Sequence, residues 1–565
     1  MEKLIECVPN FSEGRDMNII NAIVAAIGSA EGVKVLNVDP GAATNRTVVT
    51  FIGGPEAVVE GAFRGVAKAQ ELIDMRHHTG EHPRIGATDV LPLVPVAGVT
   101  MEEAAELARG LAERVGTELG IPVYCYESAA FEEKRRNLAS CRAGEYEGLE
   151  KKLADPAWRP DYGPAEYTES VARSGASVIG ARDFLLAVNF NLNTTSTRRA
   201  NAIAFDVREK GRPKREGGSP VGKKIVDAEG NVVMIPGTLK GTKAIGWYIE
   251  EYGIAQVSMN IVDMNSTPLH IAYEEVCRKA EARGVRVTGC EVVGLLPRKV
   301  LIDAGRYYLK LQRRSTGVSE EELVKIAVRS MSLSDLAPFK PEERVIEYLI
   351  ADRSPKLVDM TCKAFAVETA SESPAPGGGS VSAYMGALGA ALATMVANLS
   401  SHKAGWDDRW EYFSDMADKG AAVMTELLAL VDEDTAAFNR IMDVFAMPKE
   451  TAEEKQARRE ALERATLYAT EVPLRTMKTA VRAFEVIEAM IKEGNPNSVS
   501  DAGVGALAVR AAVQGAFLNV KINAAGLKDR EKAGDLVGEA TILAAETDKR
   551  EEALLEMVED KIKGA

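Results

Sequence analysis

From Leu4 to Val293 the chain alternates short apolar runs with stretches whose apolar residues recur at helical spacing. Leu4 to Val8, Val33 to Val38, Thr47 to Ile52, Val90 to Val96 and Pro122 to Tyr126 are compact apolar runs bounded by turn-forming residues, and they predict strands. Met17 to Ile27 and Pro55 to Met75 predict helices between them, and Thr100-x-x-Glu103 is a capping box that opens another. A second set follows, with strands expected over Phe184 to Leu192, Ala255 to Asp263 and Val285 to Val293 and helices over Ser196 to Lys210 and Pro268 to Arg283. Strands interleaved with helices in this way predict layered α/β (α+β) domains.

The segment between the two sets departs from the pattern. Residues 211–243 are rich in Gly, Pro and Lys, and Asp227-Ala228-Glu229-Gly230-Asn231 has hairpin-turn chemistry, so an extra β-hairpin or flap is expected there. Its Lys223, Lys224, Lys240 and Lys243 read as a solvated charged face. Ser332 to Pro341 reads as a hinge and Arg344 to Ile350 as a short helix, after which strand patterns vanish and long amphipathic stretches take over. The expected architecture is multidomain: two α/β subdomains (1–181 and 182–331), a linker (332–353) and an all-α helical bundle (354–565).

Two features of the helical part carry candidate chemistry. Ser373-Pro374-Ala375-Pro376-Gly377-Gly378-Gly379-Ser380 leads into Val381 to Ser400, twenty residues without a charge. That length would permit a membrane span. Ala and Gly dominate it, however, Asn398 and several hydroxyls interrupt it, and no basic cluster flanks it, which favours the central helix of a tightly packed bundle. The glycines either form a flexible joint or let backbone approach a ligand at a helix N-terminus. Further on, Leu427, Val431, Phe438, Ile441 and Phe445 share one helix face, and Asp434 falls on that seam with Asp432 at its edge. A carboxylate there is either paired with a neighbouring helix or raised in pKa toward the range where an acid–base group works. Asn495 to Asp501 reads as the cap of a further helix that runs through Asn519.

In the first part, the richest stretch is Met75 to Val90. Three of the five histidines (His77, His78 and His82) fall within it, beside Glu81, Arg84 and Asp89, and Pro83 with Gly80 and Gly86 makes it a loop. It is compatible with an ordinary solvated loop. A zinc site is a poorer fit, because His-His-x3-His lacks the helical i, i+4 face and the nearby thiolates. His82 is the best general acid–base candidate, titrating near neutrality with Glu81, Arg84 and Asp89 available to tune it.

Composition narrows the field. With 565 residues, several cores are expected, and 69 Lys plus Arg against 83 Asp plus Glu give a net charge of −14, which argues against nucleic acid or an anionic membrane as partner. The six cysteines are scattered without a CxxC, as expected of free thiols in the cytoplasm, and the start has no basic-then-apolar signal pattern. There is no nucleotide fingerprint and no metal-ligand spacing, so neither a metal nor a redox cofactor is expected.

The Met75 to Val90 loop, taken with Glu6-Cys7-Val8-Pro9-Asn10-Phe11-Ser12-Glu13-Gly14, closely resembles glutamate formimidoyltransferase, the first half of the bifunctional formimidoyltransferase-cyclodeaminases. The Ser373 to Ser380 stretch, Val431-Asp432-x-Asp434-x-x-Ala437-Phe438 and Asn495 to Asn523 resemble the cyclodeaminase half. The resemblance implies two folate reactions of histidine degradation. The formimino group of N-formimino-L-glutamate moves to N5 of tetrahydrofolate, releasing glutamate, and the product then closes to 5,10-methenyltetrahydrofolate with loss of ammonia. By the same resemblance His82 and Asp434 are the catalytic groups. Folate, with or without a polyglutamate tail, meets Gly163, Pro164, Ala165, Glu166, Tyr167, Thr168, Glu169, Ser170, Val171 and Ala172 in the first half and Gly377, Gly378 and Gly379 in the second. The flap lysines could meet the glutamate tail of that folate. A homo-oligomer, a ring of dimers in the family, is also implied. The rival from another class is a folate-binding scaffold, or a single-activity enzyme, with one or both sites silent.

Overall fold

The structure, a computed structural model, describes residues 3–42, 44–80, 83–218, 221–351 and 354–564. The chain divides into two compact units: Met1–Val300 with Met331–Ile350, and Leu301–Ser330 with Ala351–Ala565.

The first unit holds two main sheets. One is seven-stranded, from β1 (Leu4–Cys7), β2 (Asn10–Phe11), β3 (Lys34–Gly41), β4 (Arg46–Gly53), β5 (Thr88–Ala97), β6 (Val123–Glu127) and β7 (Ser177–Ala181), in the order β1-β4-β2-β5-β7-β6 with β3 on β4. The β5–β7 and β6–β7 pairs are parallel and the rest antiparallel. Helices Met17–Gly28, Pro55–Leu72 and Met101–Glu118 cover one face, burying Ile5, Cys7, Phe51, Leu91, Leu93, Cys125 and Ile179 beneath them. Thr100 and Glu103 form the expected capping box. Because strand side chains alternate, Glu6, Asn10, Thr50 and Tyr126 project from the opposite face.

The second main sheet is antiparallel in the order β11-β12-β8-β13, from β8 (Leu186–Leu192), β11 (Thr242–Ile249), β12 (Ile254–Ile261) and β13 (Val287–Val293). Helices Thr197–Val207 and Leu269–Glu281 belong to this half. The segment leading from Val207 to β11 carries a hairpin: β9 (Arg212–Pro213) pairs with β10 (Met234–Ile235), and the Asp227 N–H reaches the Asn231 carbonyl at 2.9 Å across the expected turn.

Several boundaries differ from the sequence reading for identifiable reasons. The second helix stops at Leu72, and Met75–His77 is a separate 3-10 turn capped by Asp74. β7 and β11 are additional strands: β7 is a short run without its own alternation, and β11 follows directly on the charged hairpin.

The second unit is helical. Gly378–Ser401 lies at its centre beside Trp410–Ala446 and Val499–Ala524, with Ala452–Ala480, Ala483–Glu493 and Arg530–Lys563 completing the bundle. Small residues allow close crossing: a methyl group on Gly389 would fall 2.8 Å from the Gly505 carbonyl oxygen. Gly378–Ser401 and Pro496–Ala524 are each long and apolar enough to cross a membrane. In the first of them Ala383, Ala387, Ala390, Ala393 and Ala397 are buried in the bundle core, so packing within the unit accounts for the run. Trp410–Ala446 is longer than the Thr425 to Phe445 stretch expected, and its apolar seam does not stay buried to the end: Phe445 is 54% exposed. Residues of Leu301–Ser330 add to the same unit, where Thr316 N–H donates to Ser414 Oγ at 3.0 Å and Asn398 Nδ2 to the Gly317 carbonyl at 2.8 Å.

Candidate functional site

In the first unit, three segments far apart in sequence meet. Ser12, from the N-terminal motif, donates its hydroxyl to the Gly86 carbonyl at 2.7 Å and its N–H to the Ala87 carbonyl at 2.9 Å. Gly14 N–H donates to Asn45 Oδ1 at 3.0 Å, and Asn45 Nδ2 reaches the Thr79 carbonyl at 2.9 Å, so both ends of the histidine loop are tied to the motif. From the other side, Ala87 N–H donates to the Ser174 carbonyl at 2.7 Å and Ala176 N–H to the Ile85 carbonyl at 3.0 Å. This crossing needs glycine at Gly86, where a methyl group would fall 2.8 Å from Ala176 N. His82 and Glu81 lie outside the described residues.

The other charged groups of the loop have definite partners. Asp89 is fully buried and accepts from Arg142 Nε at 3.1 Å, from a second Arg142 nitrogen and from the Ile85 N–H at 3.1 Å. Burial raises its carboxyl above the ordinary range despite Arg142 and Arg46. Arg84 is paired with Glu147 at 2.5 Å and Glu145 at 3.3 Å and lies 3.3 Å from His78 Nδ1, while His78 Nε2 is 2.9 Å from the Asn45 carbonyl. Asp89 and Arg84 therefore brace the loop. On the sheet face away from the helices, Glu6 is buried, and desolvation pushes its carboxyl up to about 7 against the pull of Arg182.

The segment from Gly163 to Ala172 borders this loop. Arg76 joins Glu169 at 3.1 Å, and Thr168 caps the short helix Glu169–Ser174 by accepting from the Val171 N–H. Glu166, Thr168, Glu169 and Ser170 face solvent, Tyr167 is half-buried with its hydroxyl 3.4 Å from that of Tyr146, and Val171 is in the core. Gly163 has φ of +81°, and a methyl group there would fall 2.8 Å from the Ile121 carbonyl carbon, so that position is dictated by the backbone. Pro164 and Ala165 are half-buried beside it.

In the second unit the predicted site residues come together directly. Gly377 is the N-cap of Gly378–Ser401, and Asp434, midway along Trp410–Ala446, lies against that helix end. Its Oδ2 accepts the Ser380 N–H at 2.8 Å and the Ser380 hydroxyl at 3.1 Å. A methyl group on Gly379 would fall 2.5 Å from Asp434 Cγ, so glycine makes room for the carboxyl, and Asn519 lies beside Gly378. One N–H of the helix end that the sequence reading left open to a ligand is thus taken by Asp434. Burial raises the Asp434 carboxyl and the two Ser380 bonds oppose it. Asp432, at the seam's edge, accepts from the Leu357 N–H at 2.7 Å.

Sequence reasoning did not single out Ser380, Arg142 or Glu147. Ser380 directly follows the three glycines, a position from which a helix-end side chain meets whatever the glycines admit. Within the expected cap at Asn495 to Asp501, Pro496–Ser498 is a 3-10 turn in which the Asn495 side chain accepts from the Asn497 N–H, and Ser500 and Asp501 lie inside the helix Val499–Ala524 that follows.

Known sequence families match the chain in order along its length. Residues 4–182 match the formiminotransferase domain, N-terminal subdomain, residues 187–351 the formiminotransferase domain, and residues 361–541 formiminotransferase-cyclodeaminase. A formimidoyltransferase-cyclodeaminase of Gallus gallus is 43% identical over 533 residues, 94% of each chain. The chain belongs to the formimidoyltransferase-cyclodeaminase family. The Rattus norvegicus formimidoyltransferase-cyclodeaminase is 41% identical over 96% of this chain and 98% of its own. A glutamate formimidoyltransferase of Thermoplasma acidophilum is 41% identical over 57% of this chain and 98% of its own.

Proposed function

We propose that the chain carries out the two reactions of its family in succession: formimino transfer from N-formimino-L-glutamate to tetrahydrofolate, then closure to 5,10-methenyltetrahydrofolate with release of ammonia, as steps of histidine degradation. The observation that carries this reading is full-length likeness to formimidoyltransferase-cyclodeaminases, with both kinds of domain present in order.

The chemistry fits the residues at each site. In the transfer, one proton leaves N5 of the folate and one reaches the glutamate nitrogen, and a single group titrating near neutrality can move both. His82 is that group in our reading, on a loop whose ends are tied down by Ser12, Asn45 and Ser174. The solvent-facing side chains between Gly163 and Ala172, beside that loop, are the proposed contacts for tetrahydrofolate, with or without further glutamates on its tail. In the second step Asp434 is the acid–base group, and its raised carboxyl suits proton exchange nearer neutrality than an ordinary aspartate. Gly377 and Gly378 let the folate ring approach the helix end beside it, while Gly379 makes room for the carboxyl. The second activity makes the chain a lyase as well as a transferase. All six cysteines are free thiols, which supports a cytoplasmic location, and we infer a homo-oligomer from the family.

The test follows glutamate, ammonia and the methenyltetrahydrofolate absorbance together in purified protein given both substrates. His82→Ala should abolish glutamate release while leaving cyclisation of added 5-formiminotetrahydrofolate intact, and Asp434→Asn should do the reverse. Undiminished turnover in either variant would remove that residue's role. Folate binding without any reaction in the native protein would favour a scaffold.

A further inference from the structure

Ser380 has no exposed surface, and its hydroxyl has more acceptors than it can serve. It lies 3.1 Å from Asp434 Oδ2, 2.9 Å from the Val431 carbonyl oxygen and 3.2 Å from the Thr435 hydroxyl. A serine hydroxyl has one proton on a rotating bond, so it donates to one acceptor at a time. The Ser380 N–H, by contrast, is fixed by the helix and stays on Asp434 Oδ2 at 2.8 Å.

The surplus has a meaning in the cyclising step, and here the argument depends on the function proposed above. Closure forms a bond from N10 of the folate to the formimino carbon, and the bond from that carbon to the terminal nitrogen breaks, its electron pair leaving with the nitrogen. N10 loses its one proton, and the departing nitrogen of the protonated formimino group gains one to leave as ammonia. A single carboxylate can take the first proton and deliver the second, ending as it began. It must then be well bonded both as a carboxylate and as an acid. A donor that cannot turn favours only the charged form.

We propose that Ser380 is a positioning residue for the cyclodeaminase step: its N–H anchors the Asp434 carboxyl, and its hydroxyl turns between Asp434 and the Val431 carbonyl as that carboxyl loses and gains its proton. When Asp434 is ionised the hydroxyl donates to it. When Asp434 is protonated the hydroxyl donates to Val431 and leaves its lone pairs free for the acid. Neighbouring charges are committed elsewhere. On the same helix Asp432 holds the Leu357 N–H, and Glu433 is bonded to Tyr468 and Arg475. The glycine-led helix end brings no charge, and Val499–Ala524 brings the neutral amide of Asn519 beside Gly378. Among the described residues no charged side chain shifts Asp434, which leaves burial and Ser380 as the opposing influences.

The test uses the full chain, with circular dichroism reporting the folding of the helical unit and the first activity serving as the internal control. Ser380→Ala keeps the N–H and removes the hydroxyl. Cyclisation of added 5-formiminotetrahydrofolate should fall about tenfold in kcat, with KM within about twofold. The limb of its pH profile that reports Asp434 ionisation should move to higher pH, since a bond favouring the carboxylate is lost. Formimino transfer should be unchanged, and Ser380→Thr should restore the native profile. A native kcat and profile in Ser380→Ala, or a loss confined to KM, would overturn the proposal. If Ser380→Ala unfolds the helical unit, Ser380→Cys fills the same space with a weak donor, and a native profile there would overturn it equally. Full cyclisation by Asp434→Asn would defeat the role of Asp434 itself, a separate failure.

Discussion

Gly379→Ala adds one methyl group at the point where the helical unit has least room. Its Cβ would fall 2.5 Å from Cγ and 2.6 Å from Oδ2 of Asp434, whereas unbonded carbons settle at about 3.5–4.0 Å. Either the carboxyl or the helix end must therefore move by roughly 1 Å. Helix propensity favours the change by about 1 kcal/mol, so the unit should stay folded. The strain falls on the two bonds from Ser380, at 2.8 and 3.1 Å, whose loss costs about 1.5–3 kcal/mol. Moving an acid–base group by that distance slows its reaction by about 10²-fold. Ammonia release from added 5-formiminotetrahydrofolate should accordingly fall about a hundredfold, with glutamate release in the first reaction at the native rate. Both are read from one preparation, by ammonia assay and by glutamate assay. Cyclisation within about threefold of native in a folded variant would refute the idea that glycine is there to admit Asp434.

Three further outcomes follow from the first unit. Glu6 binds its proton more tightly when folded, with its carboxyl moved from 4.5 to about 7, so the native protein loses stability as pH rises through that window. Glu6→Gln should then be the more stable form at pH 8, by up to ~3 kcal/mol, with the difference vanishing near pH 4.5; unfolding midpoints that differ equally at both pH values would refute this. Arg142→Ala leaves the fully buried Asp89 without its main partner and should cost about 3–5 kcal/mol in denaturant unfolding, and a loss under about 1 kcal/mol would contradict the pairing. Gly163→Ala forces a side chain onto a backbone at φ +81° and should cost about 1–3 kcal/mol while raising KM for tetrahydrofolate, whereas native values for both would show that the turn is tolerant.

Periodicity was most informative where one face of an element is buried. The helix Met17–Gly28, the capping box at Thr100 and the strands β1, β4, β5 and β6 lie close to where their apolar spacing puts them. It failed for β7, five residues in which only Val178 and Ile179 are strongly apolar, too short a run to read as a strand. It failed again at Phe445, whose ring is 54% exposed and lies under Arg458 of the following helix rather than in the core. The position of Asp434 on an apolar seam was visible in the sequence, as was the glycine run, but that the two meet was not. Contacts between residues fifty or more apart, such as Ser380 with Asp434 or Arg142 with Asp89, arise from packing and leave no local pattern. Residue chemistry alone pointed to His82, whereas the 163–172 segment was singled out only by family resemblance.

The helical unit is assembled from two pieces of chain, since Leu301–Ser330 belongs to it while Met331–Ile350 does not. The backbone therefore passes between the units three times, at 300/301, 330/331 and 350/351. Cutting the protein at a single point cannot yield both units whole. A fragment beginning at residue 351 would lack Gly317, which lies so close to Ala417 that a methyl group there would come within 2.7 Å of the Ala417 carbonyl oxygen, and Thr316, which bonds Ser414. An independent cyclodeaminase made from this chain would have to bring residues 301–330 along as a separate strand of polypeptide or replace them with new side chains.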